Sequence, residues 1–191
     1  SFIHNLGGLI MKKVLVVLFA LMCVVGTANA QQIKLSVGPE VALPMGAFGD
    51  AANIGFGGTV RAEYPVAPNM NLMLTAGYLM WGGKEFDFGF MKVTTDYSAI
   101  PILAGAKYFF APGIYGMAEV GIHMFTFKAE TTGGLFAGSS STSESKFGGG
   151  VGIGYEAALS PTVGLDLNAK YAFVADDLSY IGARVGVKFG L

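Results

Sequence analysis

The stretch Ile181-Gly182-Ala183-Arg184-Val185-Gly186-Val187-Lys188-Phe189-Gly190-Leu191 alternates without a break. Ile181, Ala183, Val185, Val187, Phe189 and Leu191 are all apolar, while the positions between them hold only glycine, Arg184 and Lys188. Side chains return to the same face every second residue of a β-strand, so the stretch reads as a strand with one apolar face and one face of glycine and charge.

The same split recurs upstream. In one segment Ile54, Phe56, Val60, Ala62 and Tyr64 oppose Gly57, Thr59, Arg61 and Glu63; in another Phe147, Val151, Ile153, Tyr155 and Leu159 oppose Lys146, Gly148, Gly150, Gly152, Gly154 and Glu156. The pattern predicts strands at about 32–43, 54–66, 70–81, 95–110, 113–128, 146–159, 162–173 and 179–191, an even number, as single-chain bacterial barrels have. Short connections, Ala67-Pro68-Asn69, Ala111-Pro112 and Ser160-Pro161, follow the second, fourth and sixth strands. Longer or more polar ones fall at 44–53, 82–94, 129–145 and 174–178. Tight turns on one side and long loops on the other are the asymmetry of an outer-membrane barrel. Gly138-Ser139-Ser140-Ser141-Thr142-Ser143 reads as the solvated tip of the longest loop.

A soluble sandwich also alternates, so the choice rests on which face is buried. Lys34, Glu40, Arg61, Glu63, Lys107, Glu119, Lys146, Glu156, Asp166, Lys170, Arg184 and Lys188 all fall on one face of their strands, with Asp96 and Lys128 ambiguous near strand ends. That face is otherwise dominated by glycine. Glycine weakens an ordinary strand, but inside a narrow barrel it leaves room for long charged side chains. On the apolar face Tyr64, Tyr108, Phe110, Tyr155 and Phe189 lie near the short turns, and Phe56, Tyr78, Phe147, Tyr171 and Phe173 lie toward the loops. Two aromatic belts around smaller aliphatic residues suit a bilayer. The expected fold class is all-β: an eight-stranded antiparallel transmembrane β-barrel in up-and-down meander order.

The N-terminus has another purpose. Met11-Lys12-Lys13, the apolar run from Val14 to Val25, and Gly26-Thr27-Ala28-Asn29-Ala30 have the order of a secretory signal, with cleavage expected after Ala30. The expected division is an upstream leader at 1–10 outside the mature protein, a signal peptide at 11–30, and the barrel domain at 31–191. Cys23, the one cysteine, falls within the signal, and Met22 before it suits a lipoprotein site poorly. The mature chain then has no disulfide or thiolate metal site. Without Lys12 and Lys13, 10 basic residues face 13 acidic ones, a net charge of −3, and no basic patch suggests nucleic acid as a partner.

Chemistry-bearing residues are few. His123, the one histidine of the mature chain, shares the inward face with Glu119 and Phe125, and no serine stands beside it as a nucleophile. It reads as a hydrogen-bonded lumen histidine. Asp176-Asp177 and the pair Glu85 and Asp87 lack the ligand spacing of a calcium loop. No catalytic, metal or cofactor set emerges. Trp81, Phe86, Phe88, Phe90 and Phe136 lie in outward loops, where aromatics form a contact surface, or else extend the upper belt or pack loop against loop.

Leu43-Pro44-Met45-Gly46-Ala47-Phe48-Gly49-Asp50, Gly55-Phe56-Gly57-Gly58, Ala62-Glu63-Tyr64-Pro65, Ala76-Gly77-Tyr78 and Pro101-Ile102-Leu103-Ala104-Gly105-Ala106-Lys107-Tyr108 together resemble the small outer-membrane β-barrel domains of Bacteroidota-type porin-family proteins, akin to the OmpX and OmpA transmembrane domains. The resemblance spans the mature chain and implies architecture rather than activity. It also implies a C-terminal strand signal read by the barrel-insertion machinery; here the aromatic Phe189 stands two residues short of the end.

These readings converge on an integral protein of the cell outer membrane in contact with its lipid, with a structural or adhesion-like role and loops 82–94 and 129–145 as the expected contact for an extracellular partner. Glu40, Arg61, Glu63, Lys107, Glu119, His123, Glu156, Asp166, Lys170, Arg184 and Lys188 are expected to plug the lumen as an ion-pair network, because unpaired buried charges are costly. A narrow pore or small-ligand channel is the alternative, and a lipid-modifying enzyme a less favoured third.

Overall fold

The computed structural model describes residues 33–87, 92–132 and 138–190. The leader and signal readings at 1–30 lie outside them, as do Phe88, Phe90, Phe136 and Leu191, and the side chains of Glu85, Phe86 and Asp87. No helix of the described residues is long and apolar enough to cross a membrane. The crossing is made by strands.

The elements are β1 (Lys34–Pro44), α1 (Gly46–Ala51), β2 (Ala52–Ala67), β3 (Met70–Gly83), β4 (Glu85–Asp87), β5 (Lys92–Ala111), β6 (Ile114–Thr132), β7 (Gly138–Ala158), β8 (Val163–Val174) and β9 (Tyr180–Gly190). Each long strand pairs antiparallel with the next, and β1 pairs with both β2 and β9, which closes the ring. The short β4 pairs with the start of β5 beyond the β3–β5 ladder. Eight antiparallel strands in meander order thus form the barrel, as the alternation predicts.

Turn chemistry fixes the ends. At the tight β5–β6 connection Pro112 precedes Gly113, whose φ of +75° is open to glycine at little cost, and the Gly113 carbonyl accepts the Glu156 N–H at 2.8 Å. Between β8 and β9, Asp176 and Asp177 both take positive φ, a conformation Asp tolerates better than most residues.

Burial is inverted relative to a soluble protein. Arg61, Lys107 and Asp166 are fully buried, while outward-facing Phe147 and Phe56 are 65% and 60% exposed. In water that arrangement would waste the apolar surface; in a bilayer the apolar face meets hydrocarbon and the charges are kept away from it. From Phe56 to Tyr64 on β2, and from Phe147 to Tyr155 on β7, are nine residues each, enough for a tilted strand to cross the hydrocarbon.

Three expectations change. Gly138–Ser143 is strand, paired with β6 through Thr131↔Gly138 to Thr126↔Ser143, and not a loop tip. Both faces of this protruding sheet meet water, so no apolar/polar contrast marks the strand in sequence. Trp81 is 1% exposed inside the barrel rather than on an outward loop, because it keeps the inward parity of Asn71, Met73 and Thr75 along β3. Segment 44–53, expected as a loop, carries the helix α1.

Candidate functional site

The inward faces of all eight long strands contribute to the lumen, which divides into an ionic layer and an aromatic layer. Near the short turns the Lys107 ammonium lies 2.6 Å from Glu63, 2.7 Å from Glu156 and 3.0 Å from Asp166. Lys188 approaches Glu63 and Glu156 at 2.7 Å each. The three carboxylates converge as a divalent-ion site would, but Lys107 already takes the cation's position. Asp166 also contacts Arg61 and Arg184 at 3.3 Å each and accepts the Tyr115 hydroxyl.

Farther toward the loops Lys170 lies 2.8 Å from Glu119 and 3.4 Å from Glu40. Thr75 joins the two groups: its hydroxyl donates to Glu119 and accepts from Arg61 Nε, both at 3.2 Å. Glu119 is thus held by Lys170, while Arg184, opposite Glu40 in the β1–β9 register, turns to Asp166, to Thr59 at 2.7 Å and to Ser36 at 3.0 Å. Arg61, Lys107, Lys170, Arg184 and Lys188 balance Glu40, Glu63, Glu119, Glu156 and Asp166 one for one. Such balance offsets the cost of removing each ion from water.

Glycine makes room for this network. A side chain at Gly182 would come within 2.6 Å of Glu40, and one at Gly186 would overlap the Arg184 guanidinium.

His123 marks the boundary between layers. It is fully buried, its Nε2 lies 3.4 Å from the Tyr180 hydroxyl, and its ring stacks on Phe125. Above it Leu79, Trp81, Phe125, Tyr180 and the α1 residue Phe48 form an apolar cluster, with Tyr97 and Phe127 packed against it. Sequence reading missed this layer and the partners Tyr115, Thr59, Ser36 and Thr75. Inward parity along each strand was the signal that could have found them.

Outside the wall, Tyr64, Tyr108, Phe110, Tyr155 and Phe189 face outward near the tight turns, and Phe56, Tyr78, Phe147, Tyr171 and Phe173 face outward toward the loops. Above Phe147, Lys146 bonds Asp176 at 2.6 Å and also pairs with Glu144, which holds its ammonium above the usual lysine range. Asp96 and Lys128 stand opposite one another on the outward face of β5 and β6.

Strands β5, β6 and β7 run for 20, 19 and 21 residues, against 11 for β1 and β9. Their surplus forms a sheet beyond the barrel. The Phe147 carbonyl accepts the Ala175 N–H at 3.0 Å, and the β7–β8 ladder stops at Gly148↔Val174. By alternation, Ser145, Ser143, Ser141 and Ser139 then turn their N–H and C=O groups to the same side, with no strand beside them among the described residues.

Comparison with known sequences adds the family. The profile of the outer membrane protein beta-barrel domain matches residues 15–189. The chain belongs to the outer membrane beta-barrel domain family. No curated protein matches it in sequence. Among solved structures, the barrel is similar to Ail, the attachment invasion locus protein of Yersinia pestis, with TM-score 0.54 and 13% identity over 83% of this chain and 97% of that one. It is also similar to a major outer membrane protein of Thermus thermophilus, with TM-score 0.51 and 15% identity over 82% and 98% of the two chains. At such identities the likeness is one of fold. Family and architecture agree with the inverted burial, and the protein is an outer-membrane β-barrel.

Proposed function

We propose that this family member is a surface-interaction protein, adhesion-like in action, whose lumen is a structural plug rather than a conduit. The observation that carries the reading is the projecting β5–β7 sheet, whose β7 edge has no strand beside it among the described residues. A strand edge of unpaired N–H and C=O groups is a template for an extended segment of another protein. The lumen offers a solute no ready passage, because its charges are paired and its outer end is packed with rings. An enzymatic reading lacks support, since Tyr180 is the hydroxyl near His123 among the described residues.

Ail was crystallised with a sulfated heparin analogue. A polyanion of that kind suits this chain less well: Lys146 is paired with Glu144 and Asp176, and Lys128 stands opposite Asp96. Main-chain pairing along β7 asks for no net charge.

Adherence of cells displaying the protein to protein-coated surfaces tests the reading. Prolines at Ser141 and Ser143 remove edge-facing N–H groups while sparing the β6 ladder. Loss of adherence, with heat-modifiable gel mobility retained, is expected. Undiminished adherence would refute the edge as the contact.

A further inference from the structure

The outer half of the lumen, on the loop side of the barrel, is apolar. An apolar cup at an aqueous opening needs a cover, and one ring supplies much of it here. Phe48 is 2% exposed, with its ring centroid 5.3 Å from Trp81, 5.2 Å from Tyr97 and 6.3 Å from Phe125, edge-on to all three. Edge-to-face contacts at these distances are the favourable arrangement of aromatic quadrupoles.

The cup and its cover differ in strength. Trp81 is fixed on β3 by donating its indole N–H to the Ala42 carbonyl at 3.0 Å, and it stacks on Phe125 and meets Tyr180 edge-on. Phe48 is delivered by α1, six residues long with glycine at 46 and 49. Helices so short are unstable alone. Met45 makes no side-chain cap, the first turn has no acid and the last no base, so the local support is the Ala52 N–H bond to the Phe48 carbonyl. Phe48 is the one buried residue of α1. Beyond it, α1 is held by three bonds: Met45 N–H to the Ser179 carbonyl at 2.9 Å, Lys84 N–H to the Ala51 carbonyl at 3.0 Å, and the Lys84 ammonium to the Gly49 carbonyl at 2.7 Å, the last on an exposed side chain.

We propose that this cup is a binding site for a small neutral aromatic molecule arriving from outside the cell, and that Phe48 is its built-in occupant, displaced when α1 unwinds. The size follows from the occupant, a single benzyl group. Neutrality follows from the lining, which is the rings of Trp81, Tyr97, Phe125 and Tyr180 with the Leu79 side chain. Binding does not imply passage, because the paired ions lie beneath the cup. The inference goes beyond the β7 edge and does not depend on it.

Trp81 is the one tryptophan of the sequence, so its fluorescence reports on the cup alone. Folded protein in detergent is titrated with 4-bromobenzyl alcohol, whose bromine quenches tryptophan on contact. Wild type, Phe48→Ala and Gly49→Pro are compared, with heat-modifiable mobility checking that each barrel is folded. Proline at 49 removes the Gly49 N–H bond to the Met45 carbonyl at 3.3 Å and undocks Phe48 without deleting it. Saturable quenching is expected in all three, about tenfold tighter in the variants, the factor by which a site open one-tenth of the time is weakened. If Phe48→Ala does not fold, Gly49→Pro decides. Quenching that never saturates would mean partition into detergent and overturn the site. Binding confined to Phe48→Ala would make Phe48 a permanent plug, and no binding in a folded variant would mean that the cup closes on itself; either result ends the proposal.

Discussion

One oxygen of Asp166 lies 3.0 Å from Lys107 Nζ and 3.3 Å from both Arg61 and Arg184, so a single buried carboxylate joins cations from β2, β5 and β9. Removing its charge leaves three cations short of a counter-ion where water cannot replace it. Breaking a buried ion pair costs about 3–5 kcal/mol. Asp166→Asn is expected to lower barrel stability by that order in a urea titration, whereas Glu144→Gln, on a half-exposed carboxylate, should cost about 1 kcal/mol or less. Equal effects would remove Asp166 from the centre of the network.

Gly186 faces the lumen and Ala183 faces outward on the same strand. A side chain at 186 would overlap the Arg184 guanidinium, which is already committed to Asp166, Thr59 and Ser36. Overpacking of that kind costs about 1–3 kcal/mol, and sometimes more. Gly186→Leu should therefore destabilise or prevent refolding, while Ala183→Leu should be tolerated. Refolding yield by gel mobility separates the two; the reverse order would invert the assignment of faces.

Ala104, between inward Leu103 and Gly105 on β5, faces outward where its neighbours across the ladders are Leu74 and Val120. Arginine near the middle of a bilayer-facing wall costs about 2–4 kcal/mol. Ala104→Arg is expected to show that loss in folding titrations into lipid vesicles, and Ser141→Arg on the projecting sheet to show none. A tolerant Ala104 would place this face away from lipid.

Strand number, order and inside-outside parity were legible because a bilayer outside and a charged lumen inside impose opposite demands on alternate residues. The run from Ile181 to Gly190 is the plainest case. Where that contrast vanishes, legibility ends: Ser139 to Ser145 meet water on both faces, and nothing in their composition separates strand from loop. Trp81 escaped for a related reason. The outer end of the lumen is lined with rings, so an inward residue there looks like an outward one, and only strict counting along β3 from Asn71 and Thr75 reveals its side. The pairing within the network was also beyond sequence. Alternation puts Arg184 in the lumen, but reach and rotamer decide that it turns to Asp166 rather than to Glu40, its register neighbour on β1.

Ion conduction tests the central claim, an outer-membrane barrel closed by its own side chains. Eight strands leave an interior about wide enough for side chains to fill; here paired ions fill the lower part and rings the upper, whereas a selective pore would favour a ring of one sign. Planar-bilayer recordings of the refolded barrel should show a silent membrane or rare, brief events. Large, steady openings from the unaltered chain would contradict the plugged lumen and favour the channel reading.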